Sequence, residues 1–233
     1  MEPMPRNLKI LTGVTIVLLV AALYMVFFYA PREAVMGEVQ RVFYFHVAAG
    51  WVAALAFLVT VVAGALYLAR RDRRWDRLAV ASVEIGVVFT FINIASGSIW
   101  ARPVWNTWWT WDPRLVTATI MELLYIAYLM LRQGVEDPDR RARFGAVYGI
   151  AAFLSVPITF LSIRFFRTIH PVVIGSSDPS AEGTFDMSPR MLQAFLFSLL
   201  TFTFIYATLL WHRVRLGRLA DQVELRKMEM MSA

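Results

Sequence analysis

Two histidines, His46 and His170, and a run of tryptophans between them are the residues of this chain whose types and spacing carry chemistry. The run reads Trp100-Ala-Arg-Pro-Val-Trp105-Asn-Thr-Trp108-Trp109-Thr-Trp111-Asp112-Pro113-Arg114 and places five of the eight tryptophans within twelve positions. Indole rings supply large, rigid contact area with one polar N–H each, so a cluster of them makes an apolar platform for a flat aromatic partner. Neutral imidazole is a common metal ligand. Two imidazoles on one side of a membrane, from separate segments flanking a bed of indoles, fit a six-coordinate iron held between axial nitrogens inside a macrocycle. The ligand this chemistry points to is haem.

Each histidine also has a plainer reading. His46 lies in Arg41-Val-Phe-Tyr-Phe-His46-Val-Ala-Ala-Gly50-Trp51, about five residues or roughly 7 Å inside the outer end of an apolar helix at the α-helical rise. There Phe43, His46, Val47 and Gly50 share one face, and Gly50 is expected to leave room beside the imidazole. The alternative is a hydrogen bond to a neighbouring helix, although intramembrane ionisable residues are functional candidates by default. His170 precedes Pro171, whose ring disfavours helical backbone for the residue before it, so this imidazole is expected to project from extended chain. Alone it reads as an exposed loop histidine. His212, in Trp211-His212-Arg213, sits at the inner end of an apolar helix, where aromatics and cations are ordinary, and is read as structural. Zinc fits less well, because no closely spaced third and fourth ligands accompany the histidines. Nor is there a G-x-S-x-G, an H-E-x-x-H or a phosphate-cradling glycine loop. No enzyme activity is expected.

The elements that must position these residues are membrane helices. The chain has 233 residues, 58% of them hydrophobic, and a mean hydropathy of +0.56, too apolar for one soluble core. A hydrocarbon layer of about 30 Å takes roughly 20 helical residues. Six segments meet that length, at about 10–30, 42–69, 78–100, 115–131, 144–164 and 190–211, as one membrane domain over 1–233. The first runs too long, and ends in residues too bulky, to be a cleaved signal peptide. Basic residues in the short connections number sixteen on one side and seven on the other, which makes both termini cytoplasmic by the positive-inside rule. The fold class is thus an all-α integral membrane protein, a bundle of six transmembrane helices with both termini cytoplasmic. The net charge of +6 and pI near 10.0 follow from that topology and call for no nucleic acid. Without cysteine, disulfides and thiolate ligands are excluded.

Two connections then face outward: the tryptophan-rich loop 100–114 and the loop 165–189, which carries Pro171, Gly175, Ser176-Ser177, Pro179 and Gly183. Trp105, Trp108, Trp109 and Trp111 are the expected platform. The propionates of a haem have Arg41, Arg102, Arg114, Arg164, Arg167 and Arg190 as candidate partners, since guanidinium pairs bidentately with carboxylate. Arg102 and Arg114 bracket the platform, while Asp178, Glu182 and Asp186 compete for such arginines. Asp112 either contacts the cofactor, orients the loop or pairs with Arg114. Glu122 and Glu84 are intramembrane carboxylates, the first about two turns inside the fourth helix and the second shallow enough to be interfacial. Pro157 is expected to kink the fifth helix.

In Phe-Tyr-Phe-His46, in Trp105-Asn-Thr-Trp108-Trp109-Thr-Trp111-Asp112-Pro-Arg114-Leu, in His170-Pro171 and in six helices of this total length, the chain resembles the WWD-domain haem-handling membrane proteins. Within that group it resembles the haem exporter protein C family (CcmC) of cytochrome c maturation. The resemblance implies a haem b site at the outer face of the bacterial inner membrane, with His46 and His170 as axial ligands to the iron. It implies delivery to a membrane-anchored periplasmic haem chaperone (CcmE-like), a small single-helix subunit (CcmD-like), ABC transporter subunits (CcmA/CcmB-like) and surrounding membrane lipids. One departure is Asn106, where the family pattern Trp-Gly-x-Trp-Trp-x-Trp-Asp has glycine; asparagine tolerates positive φ better than other side chains, so the turn is expected to survive. The larger cytochrome c synthetases share the tryptophan motif but have more helices and histidines. The rival readings are a bis-histidine membrane cytochrome that keeps its haem for electron transfer, and a binding protein for another flat amphiphile such as a quinone.

Overall fold

Two Asp-Pro pairs and one left-handed residue decide where three of the helices begin and end. In the computed structural model, which describes residues 3–170 and 187–232, the helices are α1 (Arg6–Tyr24), α2 (Arg41–Arg70), α3 (Arg73–Trp105), α4 (Pro113–Gln133), α5 (Pro138–Ala152), α6 (Ser155–Phe165) and α7 (Pro189–Ser232). A π-helical turn, Met25–Tyr29, ends α1, and a 3-10 turn, Glu38–Gln40, leads into α2. Asp112 and Asp137 cap α4 and α5, each accepting a backbone N–H from the first turn, with proline next at the position where its missing N–H costs nothing. Between α2 and α3 the chain reverses at Arg71, in the left-handed region at φ 55°, and Asp72, whose side chain accepts from the Arg74 N–H at 2.8 Å.

Among the described residues six spans are long and apolar enough to cross a membrane, α5 and α6 together forming one of them. An even number of crossings puts both chain ends at one end of the bundle; the opposite end is called distal below. α2 is central, with its buried face against α3, α5 and α7. In the core the Phe57 ring lies flat on Tyr125, centroids 3.5 Å apart, and a Cβ on Gly86 would run into Phe57. α1 is peripheral and meets α7 through a hydroxyl pair, Thr15 to Thr208 at 2.7 Å. Two ion pairs stitch helices near the terminal end: Arg132 donates to both oxygens of Asp76 at 2.6 and 2.9 Å, and Arg213 holds Glu84 at 2.5 Å.

Two helices run further than the expectations above, and the fifth span is broken by Pro157 as expected. α3 continues to Trp105 rather than stopping near 100, with Pro103 accommodated inside the helix. The break in the fifth span falls at Phe153–Leu154, one turn before Pro157, since the proline ring clashes with the carbonyl four residues earlier. α7 continues far past 211, and its 44 residues measure about 66 Å at the helical rise. Replacing Gly86 with valine is expected to overpack the α2–α3 seam and lower stability by about 1–3 kcal/mol, read as a fall in the denaturant midpoint in detergent without a change in helix content.

Candidate functional site

His46 stands five residues into α2 at the distal end, and its ring is held by α3. Its Nδ1 lies 2.9 Å from the Asn93 carbonyl oxygen and 3.2 Å from the Ser96 hydroxyl. In return the Asn93 side-chain amide donates to the His46 carbonyl at 2.8 Å. A backbone carbonyl only accepts, so Nδ1 carries the proton and Nε2 keeps its lone pair, the form in which imidazole binds metals. Gly97 makes space for the ring: a Cβ there would sit 2.9 Å from His46 Cε1. The room expected at Gly50 is instead filled by Asn93, whose Nδ2 would lie 2.9 Å from a Cβ on that glycine. The glycine that matters for the imidazole is on the neighbouring helix, which sequence spacing along α2 alone does not reveal.

His170 arrives from a different part of the chain, five residues beyond α6. Asp112 brings it there. This buried carboxylate caps α4 through the Arg114 N–H at 2.9 Å and accepts from the Thr168 hydroxyl at 2.7 Å and the Ile169 N–H at 2.9 Å. The Thr168 hydroxyl in turn accepts from the His170 N–H at 3.0 Å. Asp112 is therefore a tether between the tryptophan motif and the second histidine, and it is absent from the cleft lining. Pro171, Gly175, Ser176, Ser177, Asp178, Pro179, Glu182, Gly183 and Asp186 lie outside the described residues.

The centroids of the two imidazole rings lie 6.3 Å apart, with the ring planes inclined at 38°. A metal–imidazole bond of about 2.1 Å puts each ring centroid roughly 3.2 Å from the ion, so two rings in trans on one metal are about 6.4 Å apart. The observed spacing matches that figure. Both rings line a narrow distal cleft of about 60 Å³ that is in part open to the exterior.

The indoles divide into two groups. Trp100, Trp105 and Trp109 line the cleft together with Ile94, Leu115 and Ala118. Trp108 and Trp111 face outward, 59% and 83% exposed. Trp105 meets Trp100 edge-on at 5.1 Å, and Trp109 meets Trp111 edge-on at 6.0 Å, so the tryptophans form walls and an outer rim in place of one flat bed. Trp100 Nε1 is buried with no acceptor among the described residues; it is a donor available to a bound ligand. Arg114 lines the cleft, stacks over Phe160 at 4.6 Å and donates to the Thr159 carbonyl. Arg102 does not reach the cleft; its guanidinium closes the end of α3 by donating to Asn106 O at 2.7 Å and Oδ1 at 2.5 Å. Asn106 occupies the left-handed region at φ 56°, so the turn is made with a side chain that Arg102 grips.

The other singled-out residues lie elsewhere. Arg41 binds Glu38 and the Val26 carbonyl, and Arg190 stacks over Tyr29 at 5.5 Å. Glu122 is buried one turn below Ala118, its Oε2 without a hydrogen-bond partner among the described residues. Glu84 is claimed by Arg213, and His212 Nε2 lies 3.1 Å from the Thr12 hydroxyl between α7 and α1. Sequence reasoning missed Asn93, Ser96 and Gly97. Their spacing, three and four apart in an otherwise apolar helix, is the pattern by which membrane helices approach closely and exchange hydrogen bonds.

The fold and the cleft define a multi-spanning membrane protein with a histidine- and tryptophan-lined cleft at the distal end of its helix bundle. A family model described as "Heme exporter protein C" matches residues 2–229. Heme exporter protein C of Bradyrhizobium diazoefficiens is 32% identical over 199 residues, 85% of this chain and 75% of that one. That of Rhodobacter capsulatus is 32% identical over 171 residues, 73% and 71% of the two chains. That of Escherichia coli (strain K12) is 28% identical over 189 residues, 81% and 74%. The chain belongs to the heme exporter protein C family, a multi-pass bacterial membrane protein with a role in haem handling for cytochrome c biogenesis.

Substituting Asp112 with alanine removes a helix cap worth about 1 kcal/mol and, with it, the acceptors that hold residues 168–170. Hydrogen exchange is expected to accelerate at the Ile169 and His170 amides while the amides of α2 keep their protection; unchanged exchange at 169 and 170 would show that the tether is not Asp112.

Proposed function

We propose that the distal cleft takes haem b with His46 and His170 as the two axial ligands to its iron, and that the chain presents this haem to a membrane-anchored, CcmE-like chaperone. The observation that carries the reading is the 6.3 Å separation of two imidazoles from remote segments, the spacing that one hexacoordinate iron requires. His46 offers Nε2 because its other nitrogen is committed to Asn93. Trp105 and Trp109, with Trp100, supply the apolar walls. The Arg114 guanidinium and the unpartnered Trp100 N–H are the donors for propionate. Bound haem supplies a hexacoordinate iron with both axial positions filled, which keeps it from free solution. No covalent catalysis by the chain is needed, because its residues only position and exclude water.

Delivery asks that one ligand be easier to displace than the other. His46 is locked on a buried helix, whereas His170 lies beyond the end of α6 on a segment that the Asp112 carboxylate tethers. A client's own ligand therefore replaces His170 first. Trp108 and Trp111, exposed at the rim, are the surface such a client meets. This asymmetry favours a carrier over a cytochrome that retains its haem. The count of basic residues puts the termini in the cytoplasm and the cleft on the periplasmic side of the inner membrane. A CcmD-like single-helix subunit, CcmA/CcmB-like ABC transporter subunits and membrane lipids complete the assembly.

Absorption spectra decide the matter. Protein purified in mild detergent from a haem-sufficient host is expected to show a bis-imidazole Soret band that His46→Ala abolishes and His170→Ala weakens and shifts, with transfer to an added apo-haem protein faster for His170→Ala than for wild type. A Soret band indifferent to both substitutions sinks the assignment, and haem that never transfers returns the molecule to the cytochrome class.

A further inference from the structure

At the end of the bundle that carries the termini, α1 and α7 enclose a second cleft of about 550 Å³. Pro3 and Pro5 form one wall; Trp211, Arg215, Arg218 and Gln222 form the other. Its depth can be read from both helices. On α7 the apolar run ends at Leu210, and on α1 it begins at Ile10, after Arg6 and Lys9. The Thr12 hydroxyl and His212 Nε2, 3.1 Å apart, hold the two helices at the same level. The cleft therefore opens at the boundary between hydrocarbon and water, where Trp211, 42% exposed, takes the place typical of an interfacial indole.

The charge around it is one-sided. Asp221, next to Gln222, is engaged by Arg77 at 3.0 Å, and Glu84 by Arg213 at 2.5 Å. Arg218, Arg6 and Lys9 make no ion pair among the described residues. Guanidinium forks match the oxygens of a phosphate, and basic pockets between membrane helices at the headgroup level recognise anionic lipids. The wall opposite is stiff, since Pro5 has a fixed φ of −56°. Beyond the cleft, α1 is the least enclosed span among the described residues, with 17% of its apolar window buried, and on faces turned away from α7 it exposes Ile10, Val14 and Val17. That surface accepts acyl chains.

We infer that this cleft binds the phosphodiester headgroup of an anionic phospholipid, which clamps the N-terminal helix to the last one. The shared chemistry is a phosphate anion, so a soluble phosphate is the competing source. The full-length protein in uncharged detergent is titrated separately with short-chain phosphatidylglycerol, short-chain phosphatidylcholine and inorganic phosphate while its melting temperature is followed. Phosphatidylglycerol is expected to raise the melting temperature to a plateau, with no comparable rise from the other two. Arg218→Glu removes one attraction and adds a repulsion, and should raise the half-saturating lipid concentration at least roughly tenfold, Arg218→Gln by less. If Arg218→Glu does not fold, the Arg218→Gln titration carries the comparison. An equal response to phosphatidylcholine, the same rise with inorganic phosphate alone, no rise at all, or half-saturation unchanged in every variant that folds would each overturn the inference.

Discussion

The exchange of hydrogen bonds between His46 and Asn93 is the contact on which the distal half of the molecule depends. In hydrocarbon an unpaired polar group has no water to fall back on, so the imidazole N–H, the Asn93 amide and the two backbone carbonyls satisfy one another across α2 and α3. Interhelical bonds of this kind are each worth about 0.6–2 kcal/mol. Their larger effect is geometric. They choose the tautomer, aim Nε2 into the cleft and set the depth at which α3 meets α2, which in turn places Trp100 and Trp105 on the cleft wall. Gly97 belongs to the same arrangement because no larger residue leaves space for the ring.

Asp112 does for the second histidine what Asn93 does for the first, with a different economy. One carboxylate ends the tryptophan-rich segment, starts α4 and holds residues 168 and 169. The acidic residue of the tryptophan motif is thus structural in its contacts and functional in its consequence. The two imidazoles are thus held differently, His46 between two helices and His170 on a segment beyond α6 that Asp112 tethers. Arg102 and Asn106 show a similar division of labour: a positive φ that glycine adopts without cost is here held by a side chain and the arginine that grips it.

At the terminal end the logic is electrostatic. Asp76 with Arg132, Glu84 with Arg213 and Arg77 with Asp221 pair charges between helices, so these three carboxylates are engaged within the bundle. What remains is positive surface at the headgroup level, in keeping with a basic sequence whose cations cluster in the connections at one end.

The six spans, the break that Pro157 makes in the fifth and the association of His46 and His170 with a tryptophan-rich segment were legible in the linear order of residues. Hydrophobic runs of membrane length have few alternative structures, and caps and prolines act within a few residues of themselves. The extension of α3 through Pro103, the sorting of the indoles into wall and rim, and the parts played by Asn93, Gly97 and Asp112 were decided only by tertiary structure. Each of these depends on which helix lies alongside and at what depth, and neighbours across a helix interface leave no fixed spacing in the chain that makes them.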